Sequence, residues 1–192
     1  MNYNKLTSLV ANVEAIETAV NIHVQGRTAT TDEKEILSRY SGFGGIKEVL
    51  NIGTDNPVTD NMAEPLNRLE KALRTWTGED ETMYRTLVES IKASVLTAFY
   101  TPQFIVDAVA RQIHDTFQQS GLQMRSLLEP SAGIGGFLPV AMPGTHRYAF
   151  EKDCITGLIL SLLHDDTDTV TAGFETIGEQ DFEHTRFDII TS

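Results

Sequence analysis

Two carboxylates and a run of glycines carry the chemistry open to this chain. Residues 126–137 read SLLEPSAGIGGF: the short apolar run Ser126-Leu127-Leu128 stops at Glu129 and Pro130, and Gly133, Gly135 and Gly136 follow within four positions. The pattern predicts a buried strand running into a tight turn. Glycines belong where the backbone must take a positive φ or where a ligand approaches the main chain with no Cβ in the way. Neither phosphate-binding pattern fits. A dinucleotide fingerprint, G-x-G-x-x-G, counted from Gly133 puts Leu138 at the third glycine, and a phosphate loop needs Lys-Ser/Thr where Phe137 and Leu138 stand. What remains is an acid at a strand end, a G-x-G turn, and a second acid, Glu151, after the apolar run Tyr148-Ala149-Phe150. Glu151 follows Gly133 by 18 residues, close to the separation of ~20 at which an acid reaches a ribose hydroxyl pair in nucleotide-binding α/β folds.

Alternating strands and helices must hold these groups. Before the loop, Thr101 is placed to cap a helix starting at Pro102, whose packed face would carry Phe104, Ile105, Ala108, Val109 and Ile113. After it, Pro139 makes any helix late or short. His146 to Phe150 reads as a second strand, Thr156 to Leu163 as a helix, Thr169 to Ala172 as a third strand and Phe187 to Ile190 as a fourth, with Asp181, Glu183 and Asp188 flanking Phe182 and Phe187.

The first half reads as helices. Leu6, Leu9, Val10, Val13, Ile16, Ala19 and Val20 recur at helical spacing up to Gly26, and Thr30-x-x-Glu33 forms a capping box for a short helix through Tyr40. Ser41-Gly42-Phe43-Gly44-Gly45 suits either an anion-binding nest or, the preferred reading, a tight turn pinned by a buried Phe, since only Lys47 nearby is basic. Residues 51–61 read as a loop. Leu66, Leu69, Leu73 and Trp76 then mark one helix ended by Gly78, and Met83, Leu87, Val88, Ile91 and Val95 another, from about Glu81 to Leu96. Trp76 is expected to anchor this bundle.

Three segments together, AFYTP at 98–102, EPSAGIGGF at 129–137 and AFEKD at 149–153, resemble the adenine-specific (N6) DNA methyltransferases. In particular they are similar to the amino-terminal part of the large methyltransferase-helicase proteins of bacterial mobile elements, and YSGFGGIK at 40–47 is similar to a segment ahead of their methyltransferase core. The resemblance implies an α/β fold: a Rossmann-like S-adenosylmethionine-dependent core over residues 97–192, with a truncated parallel sheet, preceded by a helical extension over 1–96. It implies S-adenosylmethionine as cofactor, held by Tyr100, Thr101, Glu129, Ser131, Gly133, Gly135, Gly136 and Glu151. An aspartate that often contacts the adenine of the cofactor is replaced here by Phe174. The Asn-Pro-Pro-aromatic tetrapeptide that grips the target amine does not occur in the sequence, so the chain is expected to supply a donor pocket and to be catalytically silent alone. A non-enzymatic interaction module on a degenerate fold, self-associating through an open sheet edge, is the rival reading. A fragment of an RNA or protein methyltransferase is another, disfavoured by the AFYTP corner.

Composition narrows the classes. A hydrophobic fraction of 41% and a charged fraction of 22% are those of a globular domain rather than a disordered one. No apolar run approaches a membrane span and the amino terminus lacks a leader pattern, so a cytoplasmic location is the expectation. One cysteine, Cys154, excludes an internal disulfide and is read as a partly buried small residue. Five scattered histidines offer no metal-ligand spacing. With 15 basic against 27 acidic residues the net charge is −12, which repels a phosphate backbone, so DNA would be the substrate of a complete enzyme while this segment binds it weakly or not at all.

Overall fold

The computed structural model of the chain describes residues 4–54, 58, 60–179 and 186–192. Asp181, Phe182, Glu183 and His184 lie outside the described residues, as does part of the 51–61 loop. The chain divides into two units, Met1–Phe99 and Tyr100–Ser192.

The first unit is helical. Helix α1 (Lys5–Gln25) starts at Asn4, whose side chain accepts the Leu6 and Thr7 N–H groups, and ends at Gly26 with φ of 63°. Leu9, Val13, Ile16 and Val20 form its buried stripe. Amid that stripe Asn12 is fully buried, accepting the Ser41 N–H at 2.8 Å and donating to the Gly42 carbonyl at 2.6 Å. Helix α2 (Thr31–Leu37) opens with the expected capping box. It ends three residues short of Tyr40, because the chain there turns to bring the Tyr40 and Phe43 rings edge to face at 6.3 Å. Phe43 is fully buried, so Ser41–Gly45 is a turn pinned by its aromatic. The Gly45 N–H donates to the Val95 carbonyl at 3.0 Å, and the Cα of Gly44 packs directly against the Ala98 carbonyl.

A short 3-10 turn (Lys47–Asn51) leads toward helices α3 (Ala63–Thr77) and α4 (Glu81–Thr97). Their cores are Leu66, Leu69 and Leu73 on one, and Tyr84, Leu87, Val88, Ile91 and Val95 on the other. Tyr84 takes the buried place expected for Met83, because its hydroxyl can donate to Glu70 at 3.0 Å while Arg74 lies over its ring. Trp76 is only half-buried, set edge-on to His23 at 5.6 Å, and anchors less than its size allows.

The second unit is α/β. Helix α5 (Gln103–Ser120) precedes strand β1 (Ser126–Glu129); β2 (His146–Phe150), α6 (Cys154–Leu163), β3 (Asp168–Val170) and β4 (Ile189–Ile190) follow. All strand pairs are parallel, in the order β3-β2-β1-β4. Every residue of β1 is buried, as befits a central strand covered on both faces. Val106, Met124, Leu127, Phe137, Leu138, Val140, Ala149 and Leu160 close the core, each large side chain contributing about 1.5–3 kcal/mol. Asp188 fastens the start of β1 by accepting the Arg125 and Ser126 N–H groups at 2.7 and 3.1 Å.

Two expectations for α5 are corrected. Pro102, not Thr101, is the residue flanking the helix, which begins at Gln103 with no side-chain cap; Thr101 is exposed. The packed face is Val106, Val109, Ala110, Ile113 and Phe117, while Phe104, Ile105 and Ala108 are exposed. The helix carries two apolar stripes, and the one with the longer unbroken i, i+3, i+4, i+7 run meets the core. The third and fourth strands are also shorter than expected. Among the described residues no helix is long and apolar enough to cross a membrane.

Candidate functional site

Strand order reverses between β1 and β4: from β1 the chain steps outward to β2 and β3, then returns to the other side of β1. In open α/β sheets the crevice outside the carboxyl ends of the strands at such a reversal is the usual ligand site. Five of the predicted residues, Glu129, Gly133, Gly135, Glu151 and Tyr100, meet at that edge, all within the second unit.

The loop after β1 is tied across to its neighbour, with the Ala132 N–H donating to the Phe150 carbonyl at 2.8 Å. Gly133 and Gly135 take φ of 56° and 84°, as the turn demands. The Gly133 N–H donates to Glu151 Oε2 at 2.8 Å, and the Asp153 N–H donates to Glu151 Oε1 at 2.8 Å. Thus the two groups picked out by an 18-residue spacing are in direct contact. A carboxylate offers about four lone-pair sites; two are taken, leaving capacity for a pair of hydroxyl donors. Burial, the largest influence, raises the Glu151 pKa, against the Asp153, Gly133 and Lys152 main-chain amides that lower it.

Beneath the loop, Glu129 is 2% exposed. Its Oε1 accepts the Phe137 N–H at 3.0 Å, and its Oε2 is buried without a hydrogen-bond partner among the described residues. Burial pushes this carboxyl up to about 8, with the negative charge of Glu151 adding to the effect. Neither Glu129 nor Glu151 is ion-paired with a lysine or arginine among the described residues; Lys152, between the two acids of the corner, pairs with Glu175.

The glycines have closer neighbours than a ligand cradle alone would require. A Cβ on Gly133 would run into the Tyr100 ring, and one on Gly135 would stand 2.6 Å from Leu138 and 2.7 Å from His164. His164 Nε2 donates to the Ile134 carbonyl at 2.9 Å, which fixes that nitrogen as the protonated one. Tyr100 therefore lies over the loop. Burial first, and then the Glu151 charge, hold its phenol well above the ordinary range, while a bond to the Thr156 hydroxyl partly offsets them. Only Gly136 has open space around its Cα and a φ any residue can adopt. Ser131 is exposed at the rim.

Glu129, Gly133, Gly135, Glu151 and Tyr100 are thus brought together, Gly136 and Ser131 edge the same loop, and Thr101 is exposed beside Tyr100 without the capping role expected of it. The sequence reading missed Thr156 and His164. Asp153-x-x-Thr156 carries a visible signal, because Asp153 caps α6 by accepting the Thr156 N–H at 2.7 Å. His164 carries none, since its partner is a main-chain carbonyl 30 residues away. Cys154, expected to be partly buried, is exposed at the start of α6. Phe174 sets its ring edge-on to Phe150 at 5.4 Å.

A cavity of about 400 Å³ lies in the first unit, lined in part by Asn51, Thr54, Asn67, Glu70 and Arg74. Its charged groups are already engaged, Glu70 with Tyr84 and Arg74 with Glu81. No group of three His, Cys, Asp or Glu side chains suited to a metal ion occurs among the described residues. Compared with models of known protein families, with curated proteins and with solved structures, the chain gives no match.

Proposed function

We infer that the second unit is the methyl-donor-binding part of an S-adenosylmethionine-dependent adenine-N6 DNA methyltransferase with a Rossmann-like core. The observation that carries this is the Gly133–Glu151 hydrogen bond at the carboxyl edge of a parallel sheet, next to its strand-order reversal. The order β3-β2-β1-β4 is that of the first strands of doubly wound nucleotide-binding sheets. Glu151 would accept the ribose hydroxyls with its remaining lone pairs, the Gly133–Gly136 backbone would meet the amino-acid end, and Tyr100 would lie against it. The residues fit such a group provided that the Tyr100 ring moves off Gly133. The donor, when bound, supplies an electrophilic methyl carbon on a sulfonium. Transfer to an amine depends mainly on alignment; the sequence holds no Asn-Pro-Pro-aromatic segment to align the amine, so these 192 residues contribute the donor side only. DNA is the acceptor substrate of the assembled enzyme, and with a net charge of −12 the grip on its phosphates comes from elsewhere.

Calorimetric titration of the chain with S-adenosylmethionine tests this. Saturable heat is expected, weakened roughly 10-fold or more in Glu151→Ala, as for loss of hydrogen bonds to a charged group. Because Glu151 also supports the loop, Gly136→Val is the companion: it should leave the melting temperature nearly unchanged and still weaken binding. Saturable binding equally strong in both variants would refute the site.

One observation favours a second reading. The Tyr100 ring fills the face of Gly133 that the ligand would use, as expected of a degenerate fold that acts as a non-enzymatic interaction module. Absence of binding heat in both the parent chain and Tyr100→Ala, with a defined oligomer by light scattering, would support it.

A further inference from the structure

The Tyr100 ring lies against the Cα of Gly133, the loop residue whose N–H donates to Glu151. Two side-chain contacts hold it there. One is the packing on the glycine. The other is a hydrogen bond between its hydroxyl and that of Thr156. Thr156 gives its own hydroxyl proton to Asp153 Oδ1 at 2.6 Å, so the phenol is the donor in that bond. The latch is thereby anchored on the residue that caps α6. The main chain adds nothing to it. Tyr100 and Thr101 precede α5 outside any helix or strand, and among the described residues neither makes a main-chain hydrogen bond.

Tyr100 is also 37% exposed. Its ring can therefore turn outward about its two side-chain bonds without moving β1 or α5. We propose that Tyr100 is a gate on the donor pocket: its ring closes over Gly133, and a ligand reaches the loop only in the fraction of molecules whose ring has swung out. Rotamer changes near the surface take on the order of nanoseconds or less, fast beside the encounter with a dilute ligand. In that limit the association rate is the intrinsic rate multiplied by the open fraction, and the apparent affinity falls by the same fraction. The proposal rests on the donor-pocket reading and adds to it the control of entry. It also gives the packing on Gly133 a role other than permanent closure.

The test is the association rate of S-adenosylmethionine with the immobilised full chain, followed by surface plasmon resonance. Tyr100→Phe removes the hydroxyl bond alone and should raise that rate about 2–10-fold, as for one net hydrogen bond. Tyr100→Ala removes the ring packing as well and should raise it further, by more than about 10-fold. The association rate is the deciding quantity, because loss of a contact to bound ligand acts on dissociation instead. In the unaltered chain, the nuclear Overhauser contact between the Tyr100 ring protons and the Gly133 Hα should vanish at saturating S-adenosylmethionine. An association rate that is unchanged or slower in Y100A, or an Overhauser contact that survives saturation, overturns the gate and leaves the donor pocket standing. Uptake by Y100A but not by the parent chain supports a gate that is almost always shut. No uptake by either overturns the pocket and the gate together. Should Y100A not fold, the Overhauser measurement decides alone.

Discussion

Glu129→Gln has a consequence for folding that needs no ligand. Between the ordinary value of 4.5 and about 8, the folded chain keeps a proton on Glu129 that the unfolded chain has released. The native state is therefore the more protonated one, and its stability falls as pH rises through that window, with nothing lost below it. At pH 7 the shift corresponds to about 3 kcal/mol, reached at a slope of roughly 1.4 kcal/mol per pH unit. Glutamine keeps an oxygen for the Phe137 N–H and removes the titration. Its amide leaves a buried donor to satisfy, costing about 1–3 kcal/mol, so the two terms nearly cancel at pH 7. What survives is the slope. Native-state hydrogen exchange at the Leu127 and Leu128 amides of β1 reads the second unit directly, whereas fluorescence of Trp76 reads the first. From pH 5 to pH 8 the parent chain should lose stability steadily relative to E129Q. A gap between the two that stays constant within ~0.5 kcal/mol would refute the reasoning, since a carboxyl that ionises normally gives no differential slope.

Further substitutions probe the framework. Gly44→Ala drives a Cβ into the Ala98 carbonyl, which as backbone cannot swing aside; a loss of about 1–3 kcal/mol is expected, measured by urea unfolding followed at Trp76, with Gly45→Ala as a comparison strained by its φ of 76° alone. Asn12→Ala orphans the Ser41 N–H and the Gly42 carbonyl and should cost on the order of 2–3 kcal/mol by the same measurement. Asp188 has a carboxyl held below its usual range by the Arg125 and Ser126 N–H groups. Its contribution is present above the ordinary aspartate range and fades as pH falls through the depressed value, so Asp188→Asn should flatten the acid limb of the second unit's stability curve, read by hydrogen exchange at Ser126.

Legibility from sequence followed locality. The capping box at Thr30–Glu33, the αL glycine ending α1 and the apolar runs of β1 and β2 depend on residues close in sequence, and each stands where its pattern put it. The errors fall where distant partners decide. Which of two stripes on α5 faces inward depends on what packs against it, which no window of the helix contains. Pro102 takes the flanking position from Thr101 through backbone geometry alone. Asn12 reads as an interruption in an apolar stripe, and its purpose is visible only once Ser41 and Gly42 lie beside it. Of the candidate site, the pairing of Gly133 with Glu151 was legible because two strands of fixed length bring their carboxyl ends level. The resemblance implied a cofactor contact for Tyr100, and its packing over Gly133 was not legible.

Tyr100 and Gly133 bear on what a glycine in such a loop is for. Gly133 is required twice by the protein itself, once for its φ of 56° and once because the Tyr100 ring lies against its Cα. A ligand is therefore not needed to explain the residue, and glycine spacing alone would be a weak argument for a pocket. The carboxyls argue differently. Glu129 and Glu151 each accept main-chain N–H groups of the loop or of the corner after β2, yet both are held in a burial that disfavours their charge. Burial without compensation is a cost that folding alone does not recover. Acids placed in this way, at the reversal of a parallel sheet, point to function at the loop more strongly than the glycines that drew attention to it.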